Sequence, residues 1–484
     1  MTIDTGADSS PRSLPMRPGR CSTRFLAILA SCTLAACTPD DHRLSSLPTE
    51  AAATGATEEG AGVTVSAVLA AVRSGNALAV ASAPALVPPG APLAPFVEAR
   101  LYAIGNVAMH DALNAIVPRF ARYADAGPLD PSANAVAAVL TAAHDALVGG
   151  VPGAQASVDA WYATEMAALG GAAGVSAGVA IGARVAAAIL ARRANDGTAG
   201  GGVAPFMPGI APGDYQFTFP FNTPAFDFFG TGGFADGVVW GTTVTPFVVQ
   251  STAQFRAAPP YGASSNAAAV QTERYLRDYN EVKALGCDVC TARSAAQTEI
   301  AKFWVESSPL GWNRIAGIVA SQRRLDAWET ARLLALVHMG EFDSYASNLE
   351  SKYHYGFWRP VSAIELAATD GNPRTQPAVG WQVVAFPTPP IPDYPSAHAS
   401  AGGTAAAIIE AVVPGVGPRI STTSTSLPLV TRSFATVGEA ARENAVSRVY
   451  VGYHFRRATE VGLDQGRQVG RHVVANSLRR LTVR

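Results

Sequence analysis

The sequence predicts an all-α fold of packed helix bundles, interrupted by one long irregular insertion rich in glycine, proline and phenylalanine. Hydrophobic residues make up 48% of the 484 positions, which can supply an extensive buried core. Alanine, valine and leucine recur at three- and four-residue steps, the spacing that lines one face of a helix. Short turns such as Gly150-Val151-Pro152-Gly153 separate these stretches, which favours helix-on-helix packing.

The helical pattern recurs along most of the chain, and no segment alternates long enough to predict a sheet domain. Before the insertion, helices are predicted at residues 63–74, 95–116, 132–149, 154–169 and 176–195. After it, helices are predicted at residues 292–306, 322–352, 360–368, 400–412, 438–457 and 460–481. The pairs His110-Asp111 and His144-Asp145 fall inside helices, where locally bonded packing histidines are more common than metal ligands.

The insertion, residues 197–247, has little helical pattern. Long irregular stretches inside compact domains tend to be covers or channels of a functional site. Its phenylalanines could wall a substrate entrance, namely Phe217, Phe219, Phe221, Phe226, Phe228 and Phe229. A surface wrap that fills gaps between helices is an equally good interpretation, and the sequence leaves both open.

The beginning of the chain has the composition of an export signal. Arginines between residues 17 and 24 precede an apolar run at 25–36, which is too short to span a bilayer but suits a signal-peptide core. The run ends in Leu34-Ala35-Ala36-Cys37, which resembles the lipobox of a bacterial lipoprotein and implies lipid attachment at Cys37. An ordinary secretory leader cleaved near Ala36 is the alternative.

These features predict an exported periplasmic or cell-envelope lipoprotein. Residues 1–36 would be the signal peptide, residues 37–62 a flexible tether, and residues 63–484 a single all-α domain. No apolar run after the leader is expected to span a bilayer, so membrane contact is predicted through the lipid anchor only. The net charge is −1 without a basic run, so nothing in the composition suggests nucleic acid as a partner, and none is predicted.

Of the five cysteines, Cys287 and Cys290 are the pair that neither leaves with the leader nor carries the lipid. Their spacing suits a redox motif, a zinc site or a disulfide. No second cysteine pair completes a zinc site, and no strand–helix context typical of redox motifs surrounds them. A structural disulfide in an oxidising compartment is therefore the prediction.

Three short segments between residues 352 and 458 carry the most reactive side chains. They are Lys352 with Arg359-Pro360, then Pro395-Ser396-Ala397-His398, and finally Ser447-Arg448 with His454. Arginine forks match two oxygens of an oxyanion, and lysine adds a point charge. Ser396 stands where a helix N-cap belongs, so the Ala397 amide would point out of a helix N-terminus, which attracts anions. With two histidines left for proton transfer, nucleophilic attack or metal ligation, the set fits phosphate or vanadate.

The spacing favours convergence of these groups. Lys352 and Arg359 are seven residues apart and would share one face of a helix. Ser447 and His454 have the same separation and would also share a face. Arg448 lies off that face and would have to reach across to the oxyanion.

The order and spacing of the three segments resemble the signature shared by vanadium-dependent haloperoxidases and type 2 phosphatidic acid phosphatases. Residues 352–360, Met109-His110-Asp111-Ala112 and Gln297-Thr298-Glu299-Ile300 are similar to the bacterial haloperoxidase branch in particular. The resemblance covers most of the chain after the leader and implies a haloperoxidase-like helical fold. Relatives often form dimers, so it also implies a homodimer.

The resemblance implies a role for each site residue. The residues that would bind the oxygens of a vanadate cofactor are Lys352, Arg359, Ser396, Ala397 through its amide, and Arg448. His454 would be the metal ligand, through a nitrogen bond to vanadium, and His398 the acid–base group, so that the catalytic residues are His398, His454 and Lys352. The implied reaction uses hydrogen peroxide to oxidise a halide, and the halogen passes to an unknown organic acceptor.

The same residues can hold phosphate, which competes with vanadate for such a site. His454 would then be the nucleophile that forms a phosphohistidine, and His398 would protonate the leaving alcohol of a soluble phosphomonoester. A phosphatase is therefore the main alternative to the haloperoxidase. A non-catalytic oxyanion binder is the third interpretation.

The sequence departs from the family pattern at the partner of the axial histidine. Family members commonly carry an aspartate four residues after it, where it can orient the ring, and Ala458 stands there. Glu460 or Asp464 could take its place, although their spacing is poorer. Ala397 replaces the usual glycine, which is harmless if the position is helical.

Two further departures concern the halide. Chloride-oxidising relatives carry a tryptophan three residues before the site lysine and a phenylalanine five residues before the site serine. Leu349 and Ile391 occupy these positions here. The loss of two aromatic walls predicts oxidation of bromide or iodide rather than chloride.

Overall fold

Helices form most of the described structure, which confirms the predicted all-α class. The computed structural model describes residues 64–89, 93–198, 206–221, 240–415 and 419–482. The α-helices are α1 (Val65–Ser82), α2 (Pro95–Ile116), α3 (Ala135–Gly150), α4 (Gln155–Ala167), α5 (Val175–Arg193), α6 (Asn266–Ala269), α7 (Glu273–Leu285), α8 (Ala295–Phe303), α9 (Ser308–Gln322), α10 (Ala327–Tyr355), α11 (Pro360–Glu365), α12 (Ala397–Val412), α13 (Val437–Tyr450) and α14 (Arg456–Asn476). Short 3-10 turns lie at Ala83–Leu86, Pro152–Ala154, Thr252–Phe255, Pro260–Gly262 and Ala367–Thr369. Strands β1 (Ile420–Thr422) and β2 (Arg432–Phe434) pair antiparallel, with Ile420 opposite Phe434.

Backbone contacts group residues 60–484 into one unit. The predicted signal peptide, the lipidation site Cys37 and the tether lie outside the described residues. Three phenylalanines of the insertion, Phe226, Phe228 and Phe229, also lie outside them. The predicted leader, anchor and tether therefore stay predictions.

The 29-residue helix α10 is the axis of the fold. From Thr330 to Lys352 nearly every residue is buried. Helix α2 packs against it, and so do α12 and α14 of the carboxy-terminal bundle. At its amino end, Asp326 and Glu329 form a capping box, each side chain accepting from the other's backbone N–H. A helix enclosed in this way holds its last turn, and with it Lys352, in a fixed place.

Helices α12 and α14 cross with almost no side chain between them. A Cβ atom at Gly462 would lie 2.4 Å from the Ser396 carbonyl oxygen, and one at Gly466 would lie 1.9 Å from that of Ser400. The Thr404 hydroxyl donates to the Gly466 carbonyl oxygen at 2.9 Å across the same crossing. The close approach requires glycine and fixes the amino end of α12 against α14.

The structure adds helices that the sequence pattern missed, α6, α7 and α9, and lengthens α1. Gly75 and Asn76, which are poor helix formers, follow the predicted end at residue 74. Packing overrides this preference, because a Cβ at Gly75 would lie only 2.6 Å from the sulfur of Met109. The helix predicted at 438–457 instead ends at Tyr450, and α14 begins at Arg456. This break changes the position of a site residue.

Two segments of the amino-terminal half are long and apolar enough to cross a membrane, Val65–Leu86 and Val175–Arg193. The pair Ala135–Gly150 and Pro152–Ala167, bent by 119°, also meets the criterion if it counts as one span. This test of length and composition contradicts the expectation that no apolar run after the leader could span a bilayer. The composition arises because alanine and valine dominate helices that pack closely on α2 and α3.

The two His-Asp pairs are bonded locally, as predicted. His110 Nδ1 lies 2.9 Å from Asp111 Oδ1, and His144 Nδ1 lies 2.7 Å from Asp145 Oδ1. Within the part of the chain that the structure describes, no cluster of His, Cys, Asp and Glu is suited to a metal ion. Each ring is therefore held by the aspartate that follows it in its own helix.

A buried pair on α10 shares one proton. His338 Nε2 lies 2.9 Å from Asn313 Oδ1, and His338 Nδ1 lies 3.0 Å from Glu341 Oε2. Burial lowers the pKa of His338 to about 3 and raises the pKa of Glu341 well above its ordinary value. A neutral imidazole that donates to Asn313 must accept at Nδ1, so Glu341 is the protonated partner.

The proton on Glu341 makes stability depend on pH. Unfolded, the pair binds one proton between the ordinary pKa values of 4.5 and 6.5, as it does when folded. Above 6.5 the unfolded pair binds none, so the free energy of unfolding falls by up to about 1.4 kcal/mol per pH unit. We expect Glu341→Gln, whose amide can donate to His338, to remove this loss above pH 6.5 in urea unfolding. Exposed Glu273→Gln is the control, and an unchanged slope in Glu341→Gln would show that Glu341 is ionised.

The helix crossing predicts opposite effects for two glycine substitutions. Gly466→Ala places a methyl group 1.9 Å from a carbonyl oxygen, so we expect a loss of about 1–3 kcal/mol or more in the free energy of unfolding. Gly317→Ala, in α9, meets nothing within 4 Å and should gain up to about 1 kcal/mol. Denaturant unfolding of both variants checks this, and equal effects would contradict the close crossing.

Candidate functional site

Five pieces of the chain bring the predicted site residues to one region. The last turn of α10 carries Lys352, and the turn into α11 carries Arg359. The amino end of α12 carries Ser396, Ala397 and His398. Helix α13 carries Arg448, and the loop between α13 and α14 carries His454. Their charges act on one another, since the cations of Arg359, Lys352 and Arg448 all lower the pKa of His454. The predicted set therefore converges, and its contacts define a cradle for an anion.

Lys352 is buried at the floor of the cradle. Its Nζ donates to the carbonyl oxygens of Pro392 at 2.6 Å and Asp393 at 2.9 Å. Burial lowers the pKa of Lys352 well below its ordinary value, and the neighbouring Arg359 lowers it further while Asp393 raises it. The two carbonyl bonds hold the amine against the loop that precedes α12.

Arg359 ties three parts of the cradle together. Its Nε donates to the Ile391 carbonyl oxygen at 2.7 Å, and its Nη1 donates to the Tyr453 carbonyl oxygen at 2.9 Å. The same Nη1 lies 3.0 Å from His454 Nε2. The guanidinium thus aligns the loop before α12 with the loop before α14.

The amino end of α12 has the geometry that the sequence predicts for an anion site. Ser396 is the N-cap, and its Oγ accepts from the Ala399 N–H at 3.5 Å. Ala397 is the first helical residue and does not have a positive φ, so alanine fits where relatives carry glycine. His398 follows and keeps partial solvent exposure. Helix dipole and cations therefore favour an anion at the same end.

Arg448 is the least satisfied cation of the cradle. It is 2% exposed, and its Nη1 donates to the Trp304 carbonyl oxygen at 2.9 Å. Its Nε and Nη2 have no hydrogen-bond partner among the residues that the structure describes. Burial lowers its pKa to about 10. Buried donors without acceptors are costly, so this guanidinium is arranged for a guest with several acceptor oxygens.

His454 does not lie on a helix, which corrects the predicted shared face with Ser447. Helix α13 ends at Tyr450, Gly452 adopts φ +89°, and the Ser447 hydroxyl donates to Asn444 within the helix. Lys352 and Arg359 likewise do not share a helical face. Helix α10 ends at Tyr355, and Gly356 at φ +54° turns the chain before Arg359. In both cases a left-handed glycine, visible in the sequence, marks the end of the helix.

Asp393 is a site residue that the sequence pattern missed. Its Oδ1 lies 2.8 Å from His454 Nδ1, and it is 1% exposed. Burial raises its pKa to about 7, against the lowering effect of Arg359 and Lys352. Glu460 and Asp464 were the candidates to take the place of an aspartate at position 458. Both form ion pairs elsewhere, Glu460 with Arg274 and Asp464 with Arg467. The only hint in the sequence is an aspartate three residues before Ser396.

Both site histidines are held neutral near pH 7. Burial lowers the pKa of His398 well below its ordinary value, and the charge of Arg448 lowers it further. Burial is also the main cause for the lowered pKa of His454, followed by Arg359. A neutral imidazole can accept a proton, attack an electrophile or bind a metal, whereas an imidazolium cannot.

The cradle lies in a segment that matches a known protein family. The family described as "VCPO second helical-bundle domain" matches residues 332–482, which contain the whole cradle. The carboxy-terminal part of the chain, residues 332–482, is therefore similar to the second helical bundle of vanadium chloroperoxidases. A curated relative, the vanadium chloroperoxidase of Curvularia inaequalis, is 25% identical over 284 residues. That match covers 45% of this chain and 45% of the relative, so the chain spans less than half the length of that relative.

Solved structures of the superfamily share the fold. A structure described as the first bacterial vanadium-dependent iodoperoxidase has a TM-score of 0.68 and 23% identity, covering 88% of this chain and 100% of that chain. The apo form of a bacterial vanadium-dependent chloroperoxidase has a TM-score of 0.60 and 17% identity, covering 80% and 94%. Its holo form has a TM-score of 0.59 and 16% identity, covering 81% and 94%.

The residues of the cradle fit a vanadate cofactor. The unpartnered donors of Arg448 require acceptor oxygens in a buried place, and Arg359 with Lys352 supplies further positive charge. Ser396 and the amide of Ala397 would complete the contacts to the oxygens. His454 Nε2 is the nitrogen on the cradle side, because Nδ1 is taken by Asp393. Phosphate meets the same donors.

The remaining predicted residues are two aliphatic side chains, Leu349 and Ile391, and the cysteine pair. Leu349 is buried, and Ile391 is half-buried while its carbonyl holds Arg359. A disulfide joins Cys287 and Cys290, and Cys287 pairs with Val383 in an isolated bridge.

The described part of the insertion packs onto the turn that carries Arg359. The Tyr215 N–H donates to the Gly356 carbonyl oxygen at 2.6 Å, and the Trp358 N–H donates to that of Gly213 at 2.9 Å. Phe221 is buried, whereas Phe219 is 69% exposed. The insertion therefore supports the turn from outside.

The unpartnered donors of Arg448 predict a strong effect on anion affinity. Arg448→Gln removes charge-assisted bonds worth about 1.5–3 kcal/mol, so we expect phosphate and vanadate to bind about 10- to 100-fold more weakly. Titration calorimetry with each anion measures this. Arg442→Gln, an exposed arginine on the same helix, is the matched control. Equal affinity in both variants would place Arg448 outside the anion site.

Proposed function

We propose that this protein is a vanadate-dependent haloperoxidase-like oxidoreductase that uses hydrogen peroxide to oxidise a halide. The observation that carries the proposal is the neutral His454 ring, whose Nε2 faces Arg359 in a cradle of three buried cations. Bound vanadate would act as a Lewis acid toward the peroxide. The family match of residues 332–482 and the relatives named above agree with this chemistry.

The residues of the chain divide the work of such a reaction. Arg359 and Arg448 hold oxygens of the cofactor and balance their negative charge. His398, partly exposed and neutral, accepts a proton from the incoming peroxide and returns it to the departing oxygen. Lys352 is held by two carbonyl groups, and in its protonated form it keeps one N–H of three for an oxygen of the guest. The negative charge of a bound oxyanion would favour this protonated form and so counter the lowering of the pKa by burial.

Bromide or iodide is the halide that we infer. Leu349 and Ile391 are aliphatic where chloride-oxidising relatives carry aromatic residues. The pocket then lacks two rings that would shape the halide position. The acceptor of the halogen is an organic molecule of unknown structure.

A phosphatase acting on a soluble phosphomonoester is the second candidate, and one contact favours it. Asp393 bonded to His454 Nδ1 makes Nε2 a better nucleophile, as formation of a phosphohistidine requires. His398 would protonate the leaving alcohol. An oxyanion binder without turnover would keep the cradle and lack both activities.

Two assays on the purified protein distinguish the three functions. We expect peroxide-dependent halogenation of a dye with bromide or iodide, activated by vanadate, and no hydrolysis of an aryl phosphate. A phosphatase would show the reverse, with inhibition by vanadate, and a binder would show neither. His454→Ala should abolish turnover, and His398→Ala should lower it about 10²- to 10⁴-fold. Exposed His354→Ala is the control, and turnover retained in His454→Ala would refute the assigned role.

We also propose that the protein is exported and tethered by a lipid on Cys37, with residues 63–484 as its single domain and a homodimer as its assembly. The lipobox-like sequence before Cys37 supports the anchor. Metabolic labelling with a fatty acid should mark the wild type and not Cys37→Ala. Sedimentation of the soluble domain would report the oligomeric state.

A further inference from the structure

We propose that Asp393 is the positioning residue of the His454 ring and replaces the carboxylate that position 458 lacks. The inference rests on the proposed function, because the ring matters as the ligand of a bound oxyanion. The carboxylate comes from the loop before α12 rather than from α14. The two residues are 61 positions apart, so no periodicity of the sequence links them.

The contact is short, buried and anchored. Asp393 Oδ1 lies 2.8 Å from His454 Nδ1, and both side chains are shielded from solvent. The Asp393 N–H donates to the Phe357 carbonyl oxygen at 2.8 Å, and the Asp393 carbonyl oxygen accepts from Lys352 Nζ at 2.9 Å. Since the backbone of Asp393 is held on both sides, the carboxylate sets the orientation of the ring.

The contact with Asp393 also decides which nitrogen carries the proton. Arg359 Nη1 lies 3.0 Å from His454 Nε2 and 3.4 Å from Nδ1, so it stands beside both ring nitrogens and does not choose between the tautomers. An ionised carboxylate can only accept, so the contact of Asp393 with Nδ1 favours the tautomer that carries its proton on Nδ1. In this tautomer the lone pair of Nε2 faces the cations that would hold the oxyanion.

The position that an aspartate would take on α14 is apolar instead. Ala458 is buried in a cluster with Phe455 and Tyr394, and its carbonyl oxygen accepts from the Ser396 N–H at 2.9 Å. Two carboxylates beside one imidazole would repel each other, and one would lack a proton donor. Alanine at position 458 is therefore compatible with a ring that Asp393 already contacts.

The first experiment reads the tautomer without any vanadate. In the full chain labelled with ¹⁵N-histidine, long-range ¹H–¹⁵N spectra should show His454 protonated at Nδ1, with His454→Gln for assignment. Asp393→Ala should mix the two tautomers, and Asp393→Asn, whose amide oxygen still accepts, should keep the Nδ1–H form. The same Nδ1–H population in Asp393→Ala as in the wild type would overturn the inference.

The second experiment measures vanadate affinity by equilibrium dialysis. We expect Asp393→Ala to bind vanadate about 10- to 100-fold more weakly, and the double variant Asp393→Ala, Ala458→Asp to regain most of the loss. Asp343→Asn is the control, because Asp343 is equally buried and accepts N–H bonds from residues 247–249 away from the cradle.

The outcomes separate the inference from the proposed function. Unchanged affinity in Asp393→Ala, or a loss that the double variant does not recover, would show that Asp393 has only a structural role. A wild-type chain that binds no vanadate would refute the proposed function. In that case the tautomer spectra alone would decide the role of Asp393.

Discussion

Burial of positive charge is the constraint on which the rest of this structure depends. Lys352, Arg359 and Arg448 are all removed from solvent in one small region, and burial lowers the pKa of each. Buried cations are costly, and here they are compensated mainly by backbone carbonyl groups of Pro392, Asp393, Ile391, Tyr453 and Trp304. Carbonyl groups satisfy hydrogen bonds without neutralising the charge, so the cradle remains positive toward an anion.

Carbonyl groups can hold cations in place only if the backbone that carries them is rigid. Helix α10, buried along nearly its whole length, fixes Lys352 from one side. The crossing of α12 and α14 at Gly462 and Gly466 fixes Ser396 from the other, because backbone touches backbone there. Close packing leaves no adjustable side chain between these helices, so the separation of the cradle walls is set by atoms that cannot change rotamer.

Peroxidase and phosphatase chemistry place the same demands on this cradle. Both need oxygens bound by Arg359 and Arg448, and both need a lone pair on His454 Nε2 directed at the central atom. They differ in the bound oxyanion, vanadate or phosphate, and in the leaving oxygen that His398 protonates. One cradle geometry can therefore serve both kinds of chemistry.

Local patterns of the sequence determined the helical class and the N-cap at Ser396, because helix periodicity and capping act within a few positions. The candidate cradle residues were predicted from the chemistry of their side chains and from the order of three short motifs. Only the tertiary structure decided that His454 leaves the helix at Gly452, which packs against the backbone of Gly286. It alone decided that Asp393 meets His454. Contacts between distant positions depend on which helices pack together. Helix periodicity in a single sequence indicates the buried face of each helix but not the partner that covers it.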